Sequence, residues 1–136
     1  MEIVIDTREK NPWNFMDHKQ IHKKLDVGDY SVEGLEDQVV IKRKTLNDYI
    51  RSILQDKVRF TKVLNKLSEM EHSCIIVEEP YQHVWDKNYY SKVNPQYINN
   101  RTKTIKNTFG IPVFFSKNRN RAKKIALTWL EASANA

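Results

Sequence analysis

The chain has 136 residues, which is the length of one ordinary domain. Hydrophobic residues make up 40% and charged residues 29%, with three glycines and four prolines, which excludes collagenous, low-complexity and disordered chains. No apolar run approaches the roughly 18 residues of a membrane-spanning helix, and the first residues lack the layout of a signal peptide. The sequence therefore predicts a soluble, cytoplasmic protein without a membrane partner.

The net charge of +6 is unevenly distributed along the chain. The last fifty residues hold ten basic residues and one acid, a net charge of +9, whereas the first eighty-six carry −3. Six of the basic residues are the candidates for contacts with a polyanion: Arg101, Lys103, Lys106, Lys117, Arg119 and Arg121. They could also be the solvent-exposed faces of amphipathic helices, but such faces normally mix acidic and basic residues. The asymmetry predicts a polyanion partner for the C-terminal part and a carboxylate site in the N-terminal part.

The first half of the chain predicts three strands followed by two helices. The strands are Ile3–Ile5, Tyr30–Val32 and Gln38–Lys44, with an irregular connection over residues 10–20 and a hairpin loop over 33–37. Thr45 is the predicted N-cap of the first helix, with Asp48 at its third position in a variant of the capping box. A second helical pattern continues to about Met70.

The second half alternates strands and helices. It predicts a strand at Cys74–Val77, a long loop over 81–94, a helix over 98–109, a strand at Val113–Phe115 and a last helix over 122–130. Four aromatic residues of the loop either stack on unpaired bases or pack in the core: Tyr81, Trp85, Tyr89 and Tyr90. The alternation predicts an α/β fold with a central mixed β-sheet flanked by helices.

Acidic residues cluster where predicted strands end or begin. Asp6 follows the first strand and Asp29 precedes the second, and carboxylates on rigid elements are suited to a hard divalent cation. Strand alternation puts Lys42 and Lys44 on one face, next to Asp29, and Arg43 on the other. Each residue type also has a structural explanation. Aspartates are common in turns, and a basic triplet on an edge strand protects the strand from aggregation.

Three spaced segments carry a family resemblance: IDTRE at 5–9, LDVGDY at 25–30 and VIKRKTLND at 40–48. In this order they resemble the XPF-type nuclease domain, also found in archaeal Hef. That family's signature is Gly-Asp, a variable gap, Glu-Arg-Lys, three residues and Asp. The similarity covers nearly the whole chain. It implies a restriction-endonuclease-like three-layer architecture. We expect residues 1–136 to form a single nuclease domain, without the helix-hairpin-helix domains that family members commonly carry.

The resemblance also implies an activity: Mg²⁺- or Mn²⁺-dependent endonucleolytic cleavage of branched or flap DNA. Residue by residue, Asp29 matches the metal-binding aspartate, Lys44 the catalytic lysine and Arg43 the motif arginine. Asp48 matches the closing aspartate, and Asp6 the first acidic position, expected as a second metal ligand. Family members commonly form dimers. The small size and lone domain indicate a phage or mobile-element protein, located at the nucleoid or in a host cell if phage-encoded.

One position departs from the signature, because Lys42 stands where the family has its metal-binding glutamate. The exchange moves the local charge by two units and removes a ligand, which predicts weak or absent metal binding and slow or absent cleavage. Three explanations stay open: an introduced substitution that silences a nuclease, a natural change that leaves a DNA-binding or partner-binding module, or a replacement acid. The candidate replacement acids are Glu78, Glu36 and Asp37.

Overall fold

A computed structural model of the protein describes residues 1–136 and contains one six-stranded sheet with the strand order β2-β1-β3-β4-β5-β6. The elements, in chain order, are β1 Glu2–Ile5, β2 Lys19–His22, β3 Tyr30–Val32, β4 Val39–Lys44, α1 Leu46–Leu54, α2 Lys57–Ser68, β5 His72–Val77, α3 Gln82–Trp85, α4 Pro95–Asn107, β6 Val113–Phe115 and α5 Arg119–Ala134. No helix combines the length and the apolar character that crossing a bilayer requires.

The sheet is mixed, and its pairing decides which strand ends meet. Strand β3 runs antiparallel to β1 and β4, whereas the pairs β1–β2, β4–β5 and β5–β6 are parallel. The carboxyl ends of β1, β4, β5 and β6 therefore lie at one end of the sheet, together with the amino end of β3. We refer to this as the carboxyl end of the sheet.

Apolar residues fill a layer on each face of the sheet. A cluster of 18 buried residues packs one face against α1, α2 and α4, and a cluster of 13 packs the other face against α5. Strand β4 shows how alternation serves both layers, since Val40 belongs to the first cluster and Ile41 to the second. The predicted α/β fold with a mixed sheet between helices is confirmed.

Most predicted elements are present, but β2 and α3 were not predicted, and β5, α4 and α5 extend beyond their predicted bounds. The 10–20 connection runs into the unpredicted strand β2, whose sequence KQIH has a single apolar residue because this edge strand packs little of its surface. The predicted loop over 81–94 contains the one-turn helix α3. Helix α4 starts earlier than predicted, at Pro95, because the Asn94 side chain accepts a hydrogen bond from Gln96 N–H and proline fits a first helical position.

Candidate active site

The carboxyl end of the sheet gathers most of the charged residues that the sequence singled out. Asp6 follows β1, Asp29 precedes β3, Lys42 to Lys44 finish β4, and Glu78 follows β5. The antiparallel position of β3 brings the Gly28-Asp29 turn beside the end of β4. The predicted neighbourhood of Asp29 and the basic triplet is therefore present in the structure.

Gly28 allows the Asp29 backbone to approach β4 closely. Gly28 has φ +85°, and a Cβ atom at this position would lie 2.3 Å from Cγ2 of Val40. The next residue is held twice, because Asp29 N–H donates to the Ile41 carbonyl oxygen at 2.7 Å and Asp29 Oδ2 accepts from Arg43 N–H at 2.7 Å. The turn thus fixes one carboxylate oxygen at the end of β4 and leaves the other free to meet a cation.

That cation is Lys42. Its Nζ lies 3.6 Å from Asp29 Oδ1, and the two side chains are 25% and 14% exposed. They line an open cavity of about 290 Å³ together with Asp6, Arg8 and Gly28. Burial raises the pKa of Asp29, and the charge of Lys42 and the Arg43 N–H oppose that rise. A cation supplied by the chain itself therefore faces the half-buried carboxylate.

Lys44 lies on the same face of β4 as Lys42, two residues further along the strand. Its Nζ donates to Oγ of the buried Ser52 at 2.8 Å and lies 5.5 Å from the centroid of the Phe60 ring. Burial lowers the pKa of the Lys44 ammonium, and the neighbouring charge of Lys42 lowers it further. The geometry orients a partly desolvated cation beside Lys42, as the alternation of the strand predicted.

Arg43 points to the opposite face and ties three segments together. Its Nε donates to Glu78 Oε1 at 2.5 Å and its Nη1 to Glu9 Oε2 at 3.1 Å. The guanidinium lies 4.5 Å from the Trp13 ring centroid, and Trp13 Nε1 donates to the same Glu78 oxygen at 2.6 Å. Tyr30 stacks on Trp13 at 4.7 Å and donates its hydroxyl to Glu9. These contacts describe a positioning residue that sets the end of β4 against β5 and the 9–13 segment.

Asp6 is buried, with 2% of its surface exposed, and both of its carboxylate oxygens are engaged. Oδ1 accepts from Leu25 N–H at 2.8 Å and from Arg8 Nη2 at 3.1 Å, while Oδ2 accepts from Arg8 N–H and Nε. Burial acts to raise the pKa of Asp6, but the hydrogen bonds from Arg8 and Leu25 outweigh it and the pKa is lowered. The metal role expected of Asp6 stays a prediction, and its contacts describe an anchor for the segment before Gly28.

Asp48 occupies its predicted place in α1. The Thr45 hydroxyl accepts from Asp48 N–H at 3.1 Å, which is half of a capping box. The reciprocal bond is replaced by a contact of Asp48 Oδ1 with Arg51 Nη1 at 3.4 Å. Asp48 lines a second cavity of about 360 Å³ with Lys44 and Glu78, beside the Lys42 cavity.

The residues at this end of the sheet do not fit a divalent cation as they are arranged. No group of three or more His, Cys, Asp or Glu side chains is placed to hold a metal. Asp29 faces Lys42, both oxygens of Asp6 accept hydrogen bonds, and Glu78 is paired with Arg43. Two of the proposed replacement acids are remote, because Glu36 and Asp37 lie in the loop before β4, at the strand end away from Lys44, where Glu36 pairs with Lys23.

The structure separates the basic candidates into two groups. Lys117, Arg119 and Arg121 follow β6 at the carboxyl end of the sheet, where Arg119 Nη2 donates to the Pro12 carbonyl oxygen at 2.7 Å. Helix α4 leads from that end back to the start of β6, which places Lys106 in the last turn at the far end. Lys103 is exposed, and Arg101 is half-buried with an Nε that has no partner.

Sequence reasoning gave no site role to Arg8, Trp13 or Tyr30, which complete the contacts of Asp6 and Arg43. Trp13 falls in a segment without periodicity, so no pattern predicted that it is buried. The available signal was a pair of aromatic residues, Trp13 and Phe15, that follow Pro12 among polar residues.

The six-stranded mixed sheet between helices is an α/β domain whose fold matches that of the XPF nuclease domain. The chain belongs to the ERCC4 domain family, whose model matches residues 5–126. It is 34% identical over 120 residues to a Methanocaldococcus jannaschii protein named "Putative ATP-dependent RNA helicase MJ1505", and this match spans 87% of the chain but only 14% of the relative.

Solved structures of XPF from Aeropyrum pernix have the same fold. One superposes with a TM-score of 0.78 at 20% identity, covering 98% of this chain and 61% of that one. A second, in complex with DNA, superposes with a TM-score of 0.75 at 19% identity, covering 98% and 65%. The chain thus corresponds to about three-fifths of the XPF chains.

Proposed function

We propose that this chain binds branched or flap DNA across the carboxyl end of the sheet, and that Lys42 silences or weakens a metal-dependent endonuclease centre at the same place. Membership of the ERCC4 domain family supports the nuclease origin. The observation that carries the proposal is the 3.6 Å separation between Lys42 Nζ and Asp29 Oδ1. The pair puts an ammonium group where the family signature calls for a carboxylate.

An ammonium group and a divalent cation do different work on a phosphodiester. The ammonium of Lys42 offsets phosphate charge, as does that of Lys44, but it has no coordination position at which a water becomes acidic. The two lysines therefore suit phosphate binding better than phosphate cleavage. Arg43 supports this surface indirectly, since its guanidinium is used in holding Glu78 and Glu9.

Basic residues beyond the centre extend the surface that DNA would contact. Lys117 and Arg121 are exposed at the same end of the sheet, and the region from Lys87 to Leu130 contains no acidic residue. Contacts of this kind go to phosphates, so binding is expected to be independent of base sequence and sensitive to salt. The expected homodimer rests on the family resemblance and stays a prediction.

The decisive experiment compares the chain with Lys42→Glu and Lys42→Gln on flap, splayed and linear DNA, with Mg²⁺ or Mn²⁺. Glutamate restores the signature, whereas glutamine removes the charge without adding a carboxylate, so it is the matched control. We expect Lys42→Glu to cleave DNA much faster than the unaltered chain and Lys42→Gln, and all three to bind DNA.

Other outcomes would change the conclusion in defined ways. Binding without cleavage by any variant would reject the nuclease centre and leave a DNA-binding module. Cleavage by the unaltered chain that disappears in Glu78→Gln would assign the missing ligand to Glu78. Absence of DNA binding would reject the proposal, and tighter binding to RNA of equal length and at equal salt would identify an RNA-binding domain.

A further inference from the structure

A second feature lies beside the candidate site, where the loop between α3 and α4 folds back onto α1. The backbone N–H of Tyr90 donates to Asn47 Oδ1 at 3.0 Å, which fixes the loop against the helix. The Tyr90 side chain is nevertheless 93% exposed. An open cleft of about 250 Å³ lies between the loop and α1. It is lined by Asn47, Ile50, Arg51, Leu54, Gln55 and Tyr90.

Tyr90 differs from the other aromatic residues of this region. Tyr81 packs edge to face on Phe115 at 4.8 Å and contacts Trp85 at 6.2 Å, so its ring is half-buried against the core. Tyr89 donates its hydroxyl to the Val93 carbonyl oxygen and packs against the larger cluster. Tyr90 is the one whose position is fixed through the backbone while its ring remains free, which is the arrangement of a stacking platform.

A single side-chain contact on the first turns of α1 links the wall of the cleft to the candidate site. Arg51 Nη1, on the wall of the cleft, contacts Oδ1 of Asp48 at 3.4 Å. Asp48 in turn lines the neighbouring cavity that contains Lys44. A DNA strand whose phosphate lies at Lys44 would therefore pass along α1 into the cleft without crossing the core of the domain.

The lining of the cleft matches a nucleotide in its chemistry. It contains no acidic side chain, and the exposed guanidinium of Arg51 supplies a cation for a phosphate. Leu54 and the Tyr90 ring supply apolar surface, and Gln55 an amide that can both donate and accept hydrogen bonds. Pockets for drug-sized ligands begin at about 300 Å³, so one base fits the scale of this cleft better than a larger ligand.

We propose that the Tyr90 cleft binds an unpaired nucleobase from a single-stranded DNA arm, with Tyr90 stacking on the base and Arg51 contacting the adjacent phosphate. The inference rests on the proposed function, because it presupposes DNA at the carboxyl end of the sheet. It adds that the domain distinguishes a splayed or flap end from continuous duplex by capturing one base of the unpaired strand.

The test measures affinity for splayed DNA and for fully paired duplex of equal length at equal salt. Tyr90→Ala should weaken splayed-DNA binding by about 5- to 150-fold, the size of one base–aromatic stack, and leave duplex binding unchanged. Tyr90→Phe retains the ring and should bind like the unaltered chain. Met16→Ala is the control for removal of an exposed apolar side chain elsewhere, since Met16 is 80% exposed.

Cross-linking gives a second readout that does not depend on affinity. Splayed DNA with 5-iododeoxyuridine in the unpaired arm should, on irradiation, form an adduct on a peptide that contains Tyr90. Equal weakening of splayed and duplex binding in Tyr90→Ala, no weakening of either, or adducts only elsewhere would overturn this inference while leaving DNA binding intact. Failure of the unaltered chain to bind any DNA would instead reject the proposed function.

Discussion

The ammonium nitrogen of Lys42 lies 3.6 Å from Oδ1 of Asp29, at the carboxyl end of the sheet. The carboxylate is half-buried and accepts a backbone hydrogen bond from Arg43 on its other oxygen. Burial alone penalises the charged form of Asp29, and Lys42 offsets part of that penalty. The lysine therefore stabilises the charged form of this carboxylate.

The buried contacts of Arg43 lead to a first prediction, about stability. Arg43→Met should lower the free energy of unfolding by about 1.5–3 kcal/mol, because the half-buried carboxylates of Glu78 and Glu9 lose their cation and keep only the hydrogen bonds from Trp13 and Tyr30. Urea denaturation followed by circular dichroism measures this. Glu78→Gln is the matched control, since an amide oxygen can still accept from Arg43 and Trp13, and it should cost less. Equal destabilisation in the two variants would contradict a positioning role for Arg43.

Gly28 gives a second prediction. Gly28→Ala should destabilise the domain by more than about 2 kcal/mol, because the added Cβ meets Val40 at 2.3 Å and φ is +85°. Gly34→Ala is the control, since φ there is +89° but no atom lies within 4 Å, so only the backbone cost of about 1–2 kcal/mol applies. Unfolding midpoints in urea would show the difference. A Gly28→Ala variant as stable as Gly34→Ala would contradict the close approach to β4.

The lowered pKa of Asp6 predicts how stability depends on acid. The folded chain holds this carboxyl below its ordinary value of 3.8, so its contribution is complete above that value and is lost as the pH falls through the folded pKa. Asp6→Asn should lower stability at pH 7 by about 1–3 kcal/mol and flatten the decline between about pH 5 and pH 3. Unfolding free energies measured across that range test both effects.

The pKa of Asp29 is shifted in the opposite direction to that of Asp6, so its effect on stability in acid has the opposite sign. Asp29 therefore serves as the control for Asp6. Its pKa is raised by burial, so protonation in acid favours the folded state. Asp29→Asn removes this compensation, and the decline of stability in acid should become steeper than in the unaltered chain. If both aspartate variants flattened the profile equally, the assignment of the Asp6 contacts would be wrong.

The division of the basic residues predicts unequal effects on DNA binding. Lys117→Gln and Arg121→Gln should each weaken binding to all DNA sequences alike and reduce the slope of log K against log salt by about 0.9 for each phosphate that is no longer neutralised. Lys106→Gln, at the far end of α4, should change the slope little. Fluorescence anisotropy over a salt series measures these slopes. If Lys106→Gln reduced the slope as much as Lys117→Gln, the result would contradict DNA binding at the carboxyl end of the sheet.

Much of the fold was predictable because its strands carry their own signal. Continuous apolar runs identified β1 and β5, and strand alternation correctly put Lys42 and Lys44 on the face opposite to Arg43. Thr45 and Gly110 marked helix boundaries to within a few residues. These features depend on local spacing, which a single sequence contains.

The remaining features depend on partners distant in the chain. Strand β2 exists because Lys19–His22 pairs with β1, although its own residues have little strand character. The bonds from Trp13 and Arg43 to Glu78 join segments 65 and 35 residues apart. Nor could composition show that α4 takes Lys106 away from the site while Lys117 stays near it. Each of these depends on tertiary pairing that periodicity cannot encode.

The most direct measurement of the central claim is a Mn²⁺ titration, followed by electron paramagnetic resonance or calorimetry, of the unaltered chain, Lys42→Glu and the double variant Lys42→Glu, Asp29→Asn. If the ammonium of Lys42 stands in for the cation, the unaltered chain and the double variant should show no stoichiometric binding. Lys42→Glu should bind about one Mn²⁺ per chain, since it offers two adjacent carboxylates to a hard cation. Stoichiometric Mn²⁺ binding by the unaltered chain, or no such binding by Lys42→Glu, would contradict the account.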